Sequence, residues 1–229
     1  MRDARIRLTV IVMALVCIGI IMIFSASCVN AQEQFHDSYY YLKRHFIFLV
    51  LGLICTFCIM NFDYRLIQPH ARTILAISLF LLLLVLIPHL GKESYGARRW
   101  FKLGVFHFQP SELAKLAVII YTADFLSRKQ ELITNFKKGF LPPILVMGGA
   151  CLLTVKQPDL GTTLEMAVVV IGLLFIAGAR LVHLLSLVAA ALPVLVYLVI
   201  KEPYRMARII AFLDPWQDAQ GIGFQLTQS

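Results

Sequence analysis

Charge is what this sequence has least of. Lys, Arg, Asp and Glu make up 15% of its 229 residues, where an ordinary soluble domain carries about 25%. With 59% of residues hydrophobic and a mean hydropathy of +0.79, the chain has more apolar surface than a water-soluble core of this size can hide. Cysteine is also sparse. The five cysteines are odd in number and sit mostly within apolar runs, which excludes a disulfide framework. Cys55 and Cys58 form a CxxC inside such a run, without the strand or charged neighbour that redox chemistry needs, and are read as packing residues. No His/Cys cluster has zinc spacing, and neither a GxSxG nor a Walker loop occurs. His36, His45, His70, His89, His107 and His183 are scattered, as interfacial or packing residues are. Internal repeats and low-complexity linkers are absent too. The net charge of +8 comes in short clusters between apolar runs, with no continuous basic face to follow a nucleic acid. Anionic lipid headgroups, or an anionic lipid substrate, are the better partners.

What is present is a series of apolar runs at 8–27, 45–62, 73–90, 112–127, 140–155, 161–178 and 181–200. Each is close to the roughly 20 residues that carry a helix across a bilayer. The expected fold is therefore an all-α integral membrane protein, a polytopic helix bundle forming one domain over residues 1–229. The fourth run is the weakest, because Glu112, Lys115 and Asp124 lie within it, and the sixth and seventh meet in a tight hairpin at Gly178-Ala179-Arg180. Ser25-Ala26-Ser27-Cys28 loosely resembles a lipoprotein cleavage site. Such a site normally has a branched aliphatic where Ser25 stands, and six further spans follow, so the first run is read as an uncleaved helix.

Lys and Arg divide evenly between the two sides of the membrane, so orientation rests on the first helix. Arg2, Arg5 and Arg7 precede it, whereas 25–36 holds no Lys or Arg, which sets the N-terminus in the cytoplasm. Most of the outside bases then crowd into 92–102 and 201–208, an arrangement suited to an anionic ligand at the outer face.

Three outside segments are richer in Gly, Pro, charge and aromatics than a plain connection requires. In 91–112, Arg98, Arg99 and Lys102 flank Trp100 and Phe101, which suits a phosphate beside an apolar or sugar face and equally an interfacial aromatic belt. Glu112 and Lys115, three apart on one helical face, can pair; an intramembrane ionisable pair marks a functional site or a structural tie. Asp159, between Pro158 and Gly161, is placed either as a site acid or as the cap of the sixth helix. In 201–229, Arg205 and Arg208 share a helical face, and Pro215, Trp216, Asp218, Gly221 and Gly223 describe a re-entrant or interfacial loop. A carboxylate there, near two arginines and an indole, is suited to a general base beside a phosphate site.

Taken together, GARRWF at 96–101, FQPSELAK at 108–115, QPDLGTT at 157–163 and the run R-x-x-R-x-x-x-FLDPWxDxxGxGFQxxQS from Arg205 resemble the SEDS family over essentially the whole chain. The Pro-Trp before Asp218 and the GFQLTQS ending resemble its cell-division branch more than its elongation branch. The resemblance implies a ten-helix membrane protein, with seven of the ten expected here and the last three beyond Ser229. It also implies a peptidoglycan glycosyltransferase that polymerises lipid II at the outer face of the bacterial cytoplasmic membrane during division. Asp218 matches the family's catalytic acid, Arg99, Trp100, Glu112 and Lys115 match its loop and helix-four motifs and Asp159 its QPDLGT acid; with Arg98, Arg205, Arg208 and Trp216, chosen from the residues themselves, these are the positions expected to meet the substrate. No cofactor is implied with certainty, although a divalent cation could assist the pyrophosphate; no resident metal is assigned. The implied partners are lipid II, membrane lipids, a class B penicillin-binding protein and other division proteins at the septum. A lipid II flippase, using Glu112, Lys115 and Asp159 as a path, and an inactive truncated scaffold are the rival functions.

Overall fold

The computed structural model describes residues 2–87, 92–94, 97–103 and 106–213; side chains at 2, 4, 5, 92–94, 97, 98, 102, 103, 106, 208 and 213 lie outside that description. The chain divides into two compact units, Met1–Tyr64 and Arg65–Ser229.

The first unit is a helical hairpin of α1 (Arg2–Phe35) and α2 (Tyr40–Met60). His36 turns the chain with a left-handed φ of 55°. Asp37 then anchors the start of α2, accepting from the Tyr39 N–H at 2.9 Å and from Lys43 Nζ at 2.8 Å. That hydrogen bond from Lys43 holds the Asp37 carboxyl below its ordinary range. Phe35 stacks on Tyr40 at 4.0 Å across the same turn. Large apolar side chains point outward along both helices, Ile11 and Phe57 among them. In water this surface would aggregate; in hydrocarbon it is solvated, and the backbone is satisfied within each helix.

The second unit opens with two 3-10 turns, Tyr64–Leu66 and Gln68–His70, leading into α3 (Ala71–Val85). It continues through α4 (Pro110–Arg128), α5 (Leu141–Lys156), α6 (Leu160–Ile176), α7 (Leu181–Ile200) and α8 (Pro203–Leu213). Each of the seven apolar runs thus corresponds to one of α1–α7. Among the described residues, Ile6–Phe35, Tyr40–Met60, Tyr64–Val85, Phe136–Lys156 and Leu181–Ile200 are long and apolar enough to cross a membrane. The 17 residues of α6 rise about 25 Å, nearly the hydrocarbon thickness. α4 is long enough but too charged for that group. The third helix ends before the expected residue 90, because Pro88 disfavours a helical conformation at Ile87.

Start and stop signals are local. Pro110 opens α4 after an extended Gln109, and Pro142 and Pro143 open α5. Gly178, at φ 90°, ends α6: its N–H bonds the Phe175 carbonyl and the Ala179 N–H bonds that of Leu174, so the hairpin to α7 needs a residue that accepts the left-handed region. α4 touches α3, α5 and α6. The core between them is Leu75, Ala117, Val118, Met147, Ala150, Met166, Val170 and Leu174.

The segment before α4 is more ordered than a plain loop. Strands β1 (Lys92–Ser94), β2 (Ala97–Leu103) and β3 (Phe106–Phe108) pair antiparallel in sequence order, with Lys92 opposite Trp100 and Phe101 opposite Phe108. β2 lies against α3 and α4.

Candidate functional site

Helix directions bring the start of α4, the start of α6, the end of α5 and the end of α3 to one end of the second unit, where β2 also lies. Successive side chains of a strand point to opposite faces. Arg99 therefore leaves β2 on one side and Trp100 on the other, where the indole meets the His107 ring edge-on at 6.4 Å. Arg99 Nε donates to the Gln157 carbonyl at 2.9 Å, and its Nη2 donates to the Pro158 carbonyl. The guanidinium thus fastens the sheet to the connection between α5 and α6.

That connection is held from several sides. Gln157 is buried; its Nε2 donates to the Leu82 carbonyl at 3.1 Å, and its Oε1 has no partner among the described residues. Asp159 is buried as well and caps α6, accepting the Thr162 N–H at Oδ1. Its Oδ2 accepts from Thr162 Oγ1 at 2.9 Å, from Gln109 Nε2 at 3.0 Å and from Ser111 Oγ at 3.3 Å. Four donors on one carboxylate leave little acceptor capacity for a substrate proton. The arrangement makes Asp159 a tie between the N-termini of α4 and α6, where negative charge also suits both helix dipoles.

One turn into α4, Lys115 Nζ lies 2.9 Å from Glu112 and 2.8 Å from Glu165. The i,i+3 pair expected from the sequence is therefore one half of a triad that crosses to α6. Glu165 was not among the residues picked from the sequence. Its signal was present all the same: it is the lone charge in the apolar run 161–178. The lysine side chain is 23% exposed and the carboxylates 54% and 63%, so the triad stands at the edge of the bundle.

Arg205 closes the site from the far side of the sequence. It is buried; Nη1 donates to the Leu198 carbonyl at 2.7 Å near the end of α7, and Nε donates to the Tyr204 hydroxyl at 2.9 Å. That hydroxyl in turn donates to the Pro158 carbonyl at 3.4 Å. Arg99 and Arg205 thus converge through one carbonyl oxygen, joining three segments separated by up to about a hundred residues in sequence. Arg98 and Arg208 have described backbone, in β2 and α8, but their side chains lie outside the described residues, as do Trp216 and Asp218 entirely. Among the described residues, no three His, Cys, Asp or Glu side chains are grouped to hold a metal ion.

Removing the cation of the triad is expected to cost more than removing either acid. With Glu165 in place, Glu112→Gln leaves Lys115 paired and should cost less than about 1 kcal/mol, the range of exposed pairs. Lys115→Met leaves two facing carboxylates and should cost about 1–3 kcal/mol, below the 3–5 of a fully buried pair. Neutralising all three should recover part of that loss. Unfolding free energies that simply add across the set would mean the groups do not interact.

The chain matches the family model of the FtsW, RodA and SpoVE cell cycle proteins over residues 6–229. It is 44% identical over 222 residues to stage V sporulation protein E of Bacillus subtilis, covering 97% of this chain and 61% of the relative. It is 44% identical over 216 residues to the "Probable peptidoglycan glycosyltransferase FtsW" of Geobacter sulfurreducens, covering 94% of this chain and 58% of the relative. Among solved structures, it resembles a chain of a peptidoglycan synthase complex that coordinates polymerization and crosslinking, with a TM-score of 0.64 and 33% identity over 90% of this chain and 60% of that one. It also resembles the rod shape determining protein RodA of Thermus thermophilus, with a TM-score of 0.55 and 32% identity over 76% of this chain and 58% of that one. The chain thus spans about three fifths of the length of these relatives.

Proposed function

Because the chain belongs to the FtsW, RodA and SpoVE family of multi-pass membrane proteins, we propose that the complete protein is a peptidoglycan glycosyltransferase that polymerises lipid II during cell division. The observation that carries this is the convergence of Arg99, Arg205 and Lys115 on one end of the second unit, the end at which α8 starts. Lipid II presents a pyrophosphate, sugars and a polyprenyl tail at a membrane surface. A site with cations at the bundle end and apolar helices around it matches all three.

In this mechanism Asp218 takes the proton of the acceptor sugar hydroxyl as that oxygen attacks the anomeric carbon of the growing chain. The bond from that carbon to the pyrophosphate breaks, and undecaprenyl pyrophosphate leaves with the electron pair. Arg205 and Arg208, assisted by Arg98, Arg99 or a divalent cation, offset the charge that develops on the phosphate oxygens. Trp100 and Trp216 present aromatic faces to sugar or lipid. Asp159 holds the α4 and α6 N-termini in register, and the Glu112–Lys115–Glu165 triad fixes the mouth of the site. A class B penicillin-binding protein is the proposed partner and the septum the proposed location, in keeping with the synthase complex that this chain resembles.

The packing supports an enzyme over a carrier. Below the triad, the described interior is mostly apolar, with Val118, Met147, Ala150, Met166 and Val170, and its buried polar groups are the hydroxyls of Ser78, Thr122 and Thr154 until the carboxylate of Asp124. Among the described residues, a layer with isolated hydroxyls and no charge is a poor path for a pyrophosphate across the bundle. A polymerisation assay on the purified complete protein with lipid II decides between them. Glycan strands formed without another polymerase support the enzyme, and lipid II translocation with no polymer overturns it.

Arg2, Arg5 and Arg7 in the first two turns of α1 support a cytoplasmic N-terminus, and counting the crossings α1–α3 from there puts the Arg99–Arg205 end outside. A periplasmic reporter fused at Tyr95 should be active and one fused at Lys137 silent; the reverse pattern would invert the topology.

A further inference from the structure

The opposite end of the same helices holds charge that the polymerase chemistry does not use. Arg72 in the first turn of α3, and Arg128 and Lys129 at the end of α4, line a cavity of about 150 Å³ with Tyr121, Asp124 and Phe125. Asp124 is buried, and its Oδ1 accepts from Arg128 Nε at 2.8 Å and from Gln68 Nε2 at 3.1 Å. These bonds fix the guanidinium without neutralising the cavity, since three cations face one carboxylate. Lys129 Nζ stands 5.3 Å over the Phe125 ring, and among the described residues no carboxylate pairs with Arg72 or Lys129.

We propose that this cavity binds a phosphate group at the membrane surface. Its volume is roughly that of five waters in the liquid, enough for one tetrahedral oxyanion and its adjoining carbons. Arginine forks match phosphate oxygens in pairs, and an aromatic-backed lysine supplies a point charge. The cavity sits where the apolar part of α4 ends and 3-10 turns begin, which is headgroup depth. Basic pockets of this kind between membrane helices suit anionic lipid headgroups. The choice of cytoplasmic leaflet rests on the orientation proposed above; the binding itself does not.

The test is native mass spectrometry of the purified complete protein in detergent, titrated with phosphatidylglycerol or phosphatidylcholine, and separately with glycerol phosphate. Wild-type protein should retain phosphatidylglycerol about tenfold more strongly than phosphatidylcholine. Arg72→Gln/Lys129→Gln should bring the two within about twofold, and Arg72→Lys/Lys129→Arg should keep the preference. Glycerol phosphate bound by wild type and lost in the glutamine variant, with no lipid preference, would support a soluble phosphate as the source. Identical binding by wild type and glutamine variant in both arms overturns the proposal, as does equal loss in the charge-preserving variant, which would mark a packing effect. None of these readouts depends on lipid II polymerisation, so a failure of the enzyme assignment is seen separately.

Discussion

Asp218→Asn in the complete protein is expected to lower the rate of lipid II polymerisation by about 10²–10⁴-fold, the usual cost of losing a general base. The amide is nearly isosteric with the carboxylate and keeps one acceptor oxygen, but it cannot take the acceptor proton. Folding and lipid II binding should therefore survive. Pro215 is three residues ahead of Asp218, and Gly221 and Gly223 follow it, residue types that disfavour helix, so the sequence favours an interfacial loop over a buried position. The helix that precedes it in sequence, α8, begins beside the Tyr204–Pro158 contact. Arg208→Ala provides the contrast: removing a phosphate-facing charge should weaken lipid II binding as well as rate. Polymerisation by purified Asp218→Asn at close to the wild-type rate would remove Asp218 from the mechanism. A block in translocation alongside polymerisation would favour a carrier.

Asp159→Ala should destabilise the protein by about 2–4 kcal/mol. Loss of an N-cap acid alone costs about 0.5–2 kcal/mol. Here it also strands the buried Ser111 hydroxyl and the Gln109 amide, each donor costing about 1–3 kcal/mol when left unsatisfied, with partial relief from their bond to each other. Asp159→Asn should cost less, because one carbonyl oxygen can still accept from Thr162, though its amide hydrogens face the Gln109 donor. The measurement is equilibrium unfolding in mixed detergent micelles. A loss below about 1 kcal/mol for the alanine variant would show that the α4–α6 tie is not a main support of this end of the bundle.

How much of the site could be read from the chain depended on sequence distance. Glu112 and Lys115 are three residues apart on one helix, so their pairing followed from the helical repeat alone. Asp159 as a cap followed from its place before Leu160-Gly161-Thr162. Glu165 was missed because its partner lies on another helix, and nothing in the run 161–178 says which face of α6 meets α4. Arg99 was chosen for its charge and expected to meet a substrate. Its contacts with the Gln157 and Pro158 carbonyls depend on where β2 lies against the bundle. The strands were overlooked because Gly, aromatics and bases also describe an interfacial loop, although Ala97–Leu103 is long enough for a strand.

The membrane helices themselves belong to the sequence. A bilayer demands that each crossing segment satisfy its own backbone and be apolar for about 20 residues, whatever its neighbours are, so the count and approximate placement of α1–α7 are one-dimensional information, although α1 extends over Arg2–Phe35 and α3 stops at Val85. Partner choice among the charges is not. Lys115 with Glu165, Arg99 with the Pro158 carbonyl, and Gln109 and Ser111 with Asp159 each join residues 48 to 59 positions apart. Only the packing of small side chains such as Ala114, Ala117 and Ala150 sets which helices approach closely enough for those groups to meet.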